Sequence, residues 1–495
     1  MTSFIQTPPT ASHSSPSPER SFLDSAQCLE GVESMRAFRE WFEDYQKNHR
    51  FQVVPRGLDQ LDGWHFQEDS GNLVHRSGRF FSIVGLDVRT NFGHVHHWMQ
   101  PIINQPEIGI LGFLTRRIDG ILHFLIQAKM EPGNVNGAQI SPTVQATHSN
   151  YTMAHGGKRV PYLNWFLDST SAKCLVDQFQ SEQGARFLAK RNRNMIVQVH
   201  DDEPIDILDG FFWLTLGQLF ALLEEDNLVN MDSRTVLSCI RFAESDLGEV
   251  SAEEKGDSAS FGVDVLESLR CGDRFGLHDF NALTAWLTRM KTTYSLRIQR
   301  APLNRVAGWV FDNGVIRHHQ NRFFTVIGVE VAIDNREVGG WHQPLIESAK
   351  GGVICFLCQK HRGILHFLVQ ARVEPGNFDC LEMAPTIQLT PSNYDANNPE
   401  RLPPFTNLLL DIEGVVRRYD AVQSEEGGRF YQDQNRYLVL ELEPGRPIPL
   451  PANYVWMTIR QMKEFIRFNN FFNIEARGLL SCLCPKLPAP RGRAV

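Results

Sequence analysis

No apolar run in the chain is long enough to span a bilayer, and the first twenty residues, MTSFIQTPPTASHSSPSPER, lack the apolar stretch of a signal peptide. A cytoplasmic protein is therefore expected. There is no excess of basic charge either. The formal net charge is −8, which leaves no electrostatic footprint for DNA or RNA, and no nucleic-acid partner is expected. No G-x-G-x-x-G follows a strand and opens a helix, which argues against a nicotinamide dehydrogenase, and no G-x-x-x-x-G-K-[ST] marks a P-loop. G-x-S-x-G and H-E-x-x-H are also absent. The nine cysteines are odd in number and scattered, which suits a reducing compartment rather than a disulfide framework. Cys355-x-x-Cys358 has no second pair with metal spacing and lies in a strand-like run, where positions three apart face opposite sides, so structural thiols are expected. His94, His96 and His97 have Glu337, Gly339 and Gly340 as counterparts and no evident carboxylate partner. No metal site is expected there, and chemistry without a bound cofactor is the working expectation.

What the chain does have is a duplication. Residues 120–151 and 363–394 match at 19 of 32 positions without a gap, at a constant offset of 243. With 495 residues the chain exceeds one ordinary core, and the repeat divides it into two domains of similar size. The expected organisation is a disordered Pro/Ser/Thr-rich tail over 1–20, a first repeat over 21–243 and an acidic, small-residue linker over 244–262. A second repeat follows over 263–484, with a frayed end over 485–495.

Within each copy the elements can be placed by periodicity. Phe38, Trp41, Phe42 and Tyr45 recur at helical spacing within a helix read over about 25–48, and the element returns around 280–294. Strands are expected over 79–88 and 322–331, then 108–115 and 352–358. Leu122, Phe124, Ile126, Ala128 and Met130 alternate with His123, Gln127, Lys129 and Glu131, which predicts a half-buried strand; its copy pairs Leu365, Phe367, Val369, Ala371 and Val373 with His366, Gln370, Arg372 and Glu374. Because the polar identities recur, that row is expected to floor a pocket. The turns Glu131-Pro132-Gly133-Asn134 and Glu374-Pro375-Gly376-Asn377 then end the strands, Pro presetting φ and Gly free to take positive φ. Short strands over 142–147 and 385–390 come next, and each copy closes with a helix, over 215–225 and 458–468.

Polar residues follow the same twofold pattern. Gln145 and Gln388, Thr147 and Thr390, Asn150 and Asn393, Tyr151 and Tyr394 offer donors and acceptors without strong acidity, suited to hydroxyls and carbonyls. Trp98 and Trp341, in a matched Trp-x-Gln-Pro, are either shaping core residues or aromatic walls for a sugar or base. A third block matches residues 180–187 with 423–430, followed by Arg193 and Arg436, which are candidate pyrophosphate partners because guanidinium binds phosphate bidentately.

The run Glu131-Pro132-Gly133-Asn134, then Ser141 to Thr147, then Ser149-Asn150-Tyr151-Thr152 and His155-Gly156-Gly157 resembles the signature of NDP-hexose 2,3-dehydratases of deoxysugar biosynthesis. The likeness extends from about residue 25 to 485, duplication included. His148 departs from it, standing where the family has an arginine. The resemblance implies an α+β homodimer in which each repeat has a mixed sheet with flanking helices, similar to the Nudix fold. The hydrolytic Nudix box, a Gly and clustered glutamates, is missing from both copies. The implied substrate is TDP-4-keto-6-deoxy-glucose, whose ketone acidifies the C3 proton; loss of the C2 hydroxyl then gives a 3,4-diketo-2,6-dideoxy sugar, passed to a 3-ketoreductase. On this resemblance the first pocket is the catalytic one, with Glu131 or His155 as base and Tyr151 as donor to the leaving hydroxyl or the C4 oxygen. Gln145, Thr147 and Asn150 bind the sugar, and Lys129 with Arg193 the diphosphate. Trp98, Trp341, Arg372, Glu374, Gln388, Asn393, Tyr394 and Arg436 complete the expected binding residues, the second pocket serving nucleotide-sugar binding or being a remnant. Two other classes stay open: a non-catalytic nucleotide-sugar-binding or regulatory protein, and a metal-dependent pyrophosphatase.

Overall fold

The computed structural model describes residues 16–147, 159–168, 170–242, 260–334, 338–394, 401–410 and 413–487. The architecture is mixed α+β. In the first repeat a seven-stranded sheet runs in the order Lys173–Ser181, Arg191–Gln198, Gly109–Ile118, Ile121–Met130, Phe211–Thr215, with Ala138–Pro142 and Val144–Ala146 added on the two central strands. Arg191–Gln198 and Gly109–Ile118 run parallel, whereas the other pairs are antiparallel. The second repeat builds the same sheet from Val415–Ser424, Gln434–Leu442, Gly352–His361, Ile364–Arg372 and Tyr454–Met457, with Glu382–Ala384 and Ile387–Leu389.

The central hairpins turn on two residues with positive φ, Asp119 (51°) and Gly120 (82°) in one repeat and Arg362 (50°) and Gly363 (80°) in the other. That conformation matches the strand twist, and glycine adopts it without steric cost. The strand Ile121–Met130 is buried on both faces rather than half-buried. Phe124, Ile126 and Ala128 join a core continuous with Phe356, Phe367 and Val369 of the other repeat, while Leu125 packs with Trp213 on the opposite side. Each repeat's closing helix, Leu216–Leu222 or Ile459–Ile466, starts from a capping box, Thr215 with Gln218 and Thr458 with Gln461.

The two repeats exchange strands. Phe51–Arg56 pairs antiparallel with Phe324–Ile333, from Phe51 opposite Ile333 to Arg56 opposite Gly328. Reciprocally, Leu296–Ala301 pairs with Ser82–Thr90. Each five-stranded second sheet therefore contains one strand lent by the other half.

Residues 16–20 and 485–487 are more ordered than composition suggests. Helix Pro18–Gln27 begins inside the stretch expected to be a tail, with Ser17 capping it and Pro18 in its first turn, a position that needs no N–H donor. It is separate from helix Met35–Asn48, so the single helix expected over 25–48 is two. At the other end, Pro485 to Leu487 are tied down: Gln27 Nε2 donates to the Pro485 carbonyl (2.9 Å), and Lys486 N to that of Gly262 (2.9 Å). No helix among the described residues is long and apolar enough to cross a membrane.

Candidate active site

Each site forms where one repeat's Glu-Pro-Gly-Asn turn presses into the other repeat's Gln-Ser-Glu loop. Gly376 N donates to the Gly184 carbonyl (2.6 Å), and its own carbonyl accepts from Ala189 N (2.8 Å). Gly133 makes the mirror contacts with Gly427 (2.7 Å) and Gln432 (2.8 Å). A Cβ on Gly376 would stand 1.7 Å from the Phe187 carbonyl oxygen, and one on Gly133 1.5 Å from that of Phe430. Neither glycine is among the residues with positive φ. The turns form as expected, Asn134 N donating to the Glu131 carbonyl (3.0 Å) and Asn377 N to that of Glu374 (3.2 Å); glycine is needed there for room for a foreign backbone rather than for positive φ.

This crossing brings both halves to a cavity of about 1160 Å³ above the second repeat's central strands. Its inner end is polar and acidic. Arg372 Nε donates to Glu374 Oε1 (3.0 Å), as does Gln388 Nε2 (3.2 Å), and Asn473 Nδ2 holds Gln388 Oε1 (2.9 Å). Glu475, from helix Ile474–Leu480, also faces it. Burial, and then the neighbouring Glu374 and Glu425, push the Glu475 carboxyl well above the usual range. The first repeat adds Gln183 and Arg186. The Arg186 guanidinium lies 4.3 Å above the Phe324 ring and faces Asp433, Glu374, Glu475 and Glu425; Glu374 Oε2 and Arg186 Nε have no hydrogen-bond partner among the described residues.

The mouth has a different character. Trp98 of the first repeat, oriented by its Nε1 donating to Gln100 Oε1 (2.8 Å), and Trp309 of the second supply aromatic faces. Arg322, Arg401, His94, His97 and His318 also line it, with Asn393 and Tyr394. Arg322 donates to the Asn393 carbonyl, and Asn393 Oδ1 accepts from Phe323 N (3.1 Å). An acidic inner end with amides suits sugar hydroxyls and a carbonyl, while arginines and tryptophans at the mouth suit a diphosphate and a base.

The first repeat carries the counterpart set. Gln145 Nε2 donates to Glu131 Oε1 (2.9 Å), Lys129 Nζ lies 3.7 Å from the same oxygen, and Ser141 Oγ and Asn230 Nδ2 hold Gln145 Oε1 at 3.0 and 3.4 Å. Asp232 takes the place of Glu475, its carboxyl raised well above normal by burial and by Glu426, Glu182 and Glu131. Here the lent residues are Glu426 and Arg429, the latter 4.2 Å above the Phe81 ring.

Of the residues singled out by sequence, Lys129, Glu131 and Gln145 come together, and Trp98, Arg372, Glu374, Gln388, Asn393 and Tyr394 line the cavity. Thr147 is half-buried, and Trp341 is held by Gln343 as Trp98 is by Gln100 (2.7 Å). Asn150, Tyr151 and His155 lie outside the described residues. Arg193 and Arg436 are not brought to either cluster; both sit on exposed strand surface in two-point pairs with Asp177 (2.7 and 2.6 Å) and Asp420 (2.7 and 2.6 Å). The polar row itself divides. His123 and His366 accept from Val32 N (3.0 Å) and Leu277 N (3.2 Å), anchoring the segments before each repeat, and only the later members reach the site. Cys355 and Cys358 face different cores, where burial raises both thiols. His97 does have a carboxylate partner, Asp87 at 3.1 Å, yet no group of residues spaced to hold a metal exists among the described residues. Arg186, Arg429, Glu426, Asp232 and Glu475 escaped the sequence reading. The matched block 180–187/423–430 and the recurrence of an acid two residues after Asn230 and Asn473 were the signals that could have found them.

The family model described as NDP-hexose 2,3-dehydratase matches residues 35–240 and 280–483. The chain is 45% identical over 466 residues to the dTDP-4-dehydro-6-deoxy-alpha-D-glucopyranose 2,3-dehydratase of Saccharopolyspora spinosa, covering 94% of each chain. It is 42% identical over 477 residues to the protein of the same name from Amycolatopsis orientalis (95% of this chain, 94% of that one), and 42% over 449 residues to that of Streptomyces violaceoruber (90% and 96%). Among solved structures, the C. elegans Ap4A hydrolase is similar at 14% identity over 25% of this chain and 88% of that one, with a TM-score of 0.17, too slight a likeness to bear on the fold. The chain belongs to the NDP-hexose 2,3-dehydratase family.

Proposed function

We propose that the protein removes water across C2 and C3 of dTDP-4-keto-6-deoxy-glucose. The observation that carries the reading is the likeness, along nearly the whole chain, to three proteins named for that activity. The physical logic needs only the substrate's own ketone. It acidifies the C3 proton, a side-chain base removes that proton, and donors near the C4 oxygen hold the enolate charge. Expulsion of the C2 hydroxyl as water leaves an enol that tautomerises to the 3,4-diketo-2,6-dideoxy sugar. That product is reactive, so a 3-ketoreductase consumes it.

The first repeat's site carries the reaction in this proposal. His155 is the C3 base and Tyr151 the donor to the C4 oxygen, while Glu131, Gln145, Thr147 and Asn150 orient the sugar. Lys129 contributes positive charge toward the diphosphate. The second copy continues Tyr394-Asp395-Ala396-Asn397-Asn398 and has no equivalent of His155. Its cavity binds nucleotide sugar, with Arg322 and Arg401 at the diphosphate and Trp98 or Trp309 against the base. Each seven-stranded sheet with its helices is a Nudix-like unit, supported by its mixed strand order. The protein works in the cytoplasm as a homodimer.

Incubation with the 4-keto-6-deoxy sugar nucleotide in heavy water, together with a 3-ketoreductase and its reduced nicotinamide, should yield a 2-deoxy product with deuterium at C2. Binding without conversion would instead mean a nucleotide-sugar-binding protein, and magnesium-dependent release of nucleoside monophosphate a pyrophosphatase. His155→Ala should abolish turnover and spare nucleotide binding.

A further inference from the structure

We infer that Glu426, which the second repeat lends to the first repeat's site, is the general acid that protonates the departing C2 hydroxyl. The inference rests on the dehydration reading above and assigns to one residue the step that reading left without a proton donor.

Geometry brings Glu426 to the site. Its loop is pinned there by the Gly133–Gly427 backbone contact, one residue away (2.7 Å). A Cβ on Gly428 would stand 2.7 Å from Glu426 Oε1 and 3.5 Å from Glu131 Oε1, so these two oxygens are at most about 6.2 Å apart. Glu426 is half-buried, open enough to meet a ligand. A sugar oriented by Glu131 would therefore present its ring hydroxyls within reach of Glu426.

The comparison between the two sites marks this residue as one that differs. Glu131, Glu182 and Asp232 recur as acids in the second site: Glu374, Glu425 and Glu475. Glu426 does not recur. Its counterpart is Gln183, whose amide donates to Glu425 Oε2 (2.8 Å) and contacts Met231 Sδ (2.9 Å). An amide can position a hydroxyl but cannot hand it a proton. At this position the site proposed to react carries a proton-bearing group from across the repeat boundary where the site proposed only to bind has an amide; position 190 runs the other way, Lys190 in the first site matching Asp433 in the second.

The electrostatic setting suits the role. Arg429 and Lys190 face Glu426 as cations and Glu182 and Glu131 as carboxylates, with Asp232 also close enough to interact. Burial and the carboxylates outweigh the cations and push its carboxyl up to about 7. Near neutral pH a large share of molecules therefore carry the proton, the condition for efficient general acid catalysis.

In the step itself the base already holds the former C3 proton. The enolate electrons re-form the C4 carbonyl and shift the C3–C4 double bond to C2–C3. The C2–O bond breaks with its electron pair going to oxygen, and that oxygen takes the Glu426 proton and leaves as water. Glu426 remains as a carboxylate, and both side chains return to their starting forms by proton exchange with solvent.

Glu426→Gln, which installs the second site's residue type, tests the assignment. The expected kcat loss is about 10²-fold or more, with KM and dTDP binding retained. In heavy water the recovered substrate should carry deuterium at C3, because the base still works when elimination cannot follow. The alkaline limb of the wild-type kcat profile, centred near 7, should vanish, and Glu426→Asp should restore part of the rate. Normal turnover by Glu426→Gln, or loss of C3 exchange together with elimination, overturns the inference. So does failure of both variants to fold or to bind dTDP, which would make Glu426 a structural residue. If the wild-type protein leaves the sugar unconverted, the dehydration reading itself fails, a result visible before any variant is made.

Discussion

Gly376→Ala tests whether the cross-repeat interlock supports the structure as its geometry implies. The new Cβ would meet the Phe187 carbonyl oxygen at 1.7 Å and that of Gly184 at 2.7 Å. Both are backbone atoms, so relief requires moving one loop away from the other, by an ångström or more, rather than turning a side chain. Overpacking of this kind costs about 1–3 kcal/mol. The displacement also weakens two inter-repeat hydrogen bonds, Gly376 to Gly184 (2.6 Å) and Ala189 to Gly376 (2.8 Å), each worth about 1 kcal/mol. The sum is about 3–5 kcal/mol. A chain of this length unfolding as one unit has a melting entropy of about 1 kcal/mol per kelvin, so the midpoint should fall by about 3–5 °C. Gly339→Ala is the control: its Cβ would meet only the Ile333 carbonyl, at an ordinary 3.7 Å, and should alter stability by less than about 0.5 kcal/mol. Calorimetry on the three proteins decides the matter. Equal midpoints for wild type and Gly376→Ala would refute the argument that glycine stands there to admit the other repeat's backbone.

The exchanged strands Phe51–Arg56 and Leu296–Ala301 leave each half with an unfilled sheet edge when separated, so fragments 16–259 and 260–487 should fold only when co-expressed; a cooperative melt from either fragment alone would contradict this. Arg186→Ala leaves Asp433, Glu374, Glu475 and Glu425 facing one another without that cation. Removing one partner of a buried charge cluster costs about 3–5 kcal/mol, and because losing the guanidinium raises further the already raised carboxyls of Asp433, Glu475 and Glu425, the loss should be larger at pH 8 than at pH 6 in urea titrations. His366 is fully buried, Leu277 N occupies its Nε2 and the Ile364 carbonyl its Nδ1, so only the neutral ring fits, and burial drives its pKa down to about 4. Its contribution is intact above pH 6.5 and disappears as pH falls toward 4, up to about 3 kcal/mol. The slope of stability against pH in that window should be shallower in His366→Leu, and an unchanged slope would show that the ring does not titrate there.

The duplication and its repeated polar identities were legible because a constant offset of 243 needs no structure to detect, and residues close in sequence, Lys129, Glu131 and Gln145, do meet. Most of what escaped is contributed across the repeat boundary, Trp98 being the lent residue that sequence did single out. Periodicity reports which face of a strand is buried but not whose backbone covers it, so at Gly133 and Gly376 the turn is legible and the close approach of the other repeat is not. The same limit hid Arg186 and Glu426, whose partners lie on the other repeat's turn. Arg193 and Arg436 misled for a related reason. Their bidentate partners, Asp177 and Asp420, sit diagonally across from them on adjacent strands, and an arginine so paired is indistinguishable in sequence from one awaiting phosphate. Composition misjudged residues 18–20, because Ser17-Pro18 is both a disorder signal and a helix start.

Reciprocal lending changes what divergence after duplication can do. In two self-contained domains, a substitution in the second would alter only the second site. Here the loop 423–430 belongs to the second repeat but faces Glu131, while 180–187 belongs to the first but faces Glu374. A change at position 426 therefore leaves the second cavity's own floor untouched and resets the acid–base character of its neighbour; Gln183 does the converse. The glycines that admit each foreign backbone hold these loans in place, and the exchanged strands prevent the halves from separating. Two sites built from nearly identical parts can thus acquire different proton inventories by single substitutions, without loss of the shared sugar-binding amides that both retain at Gln145 and Gln388.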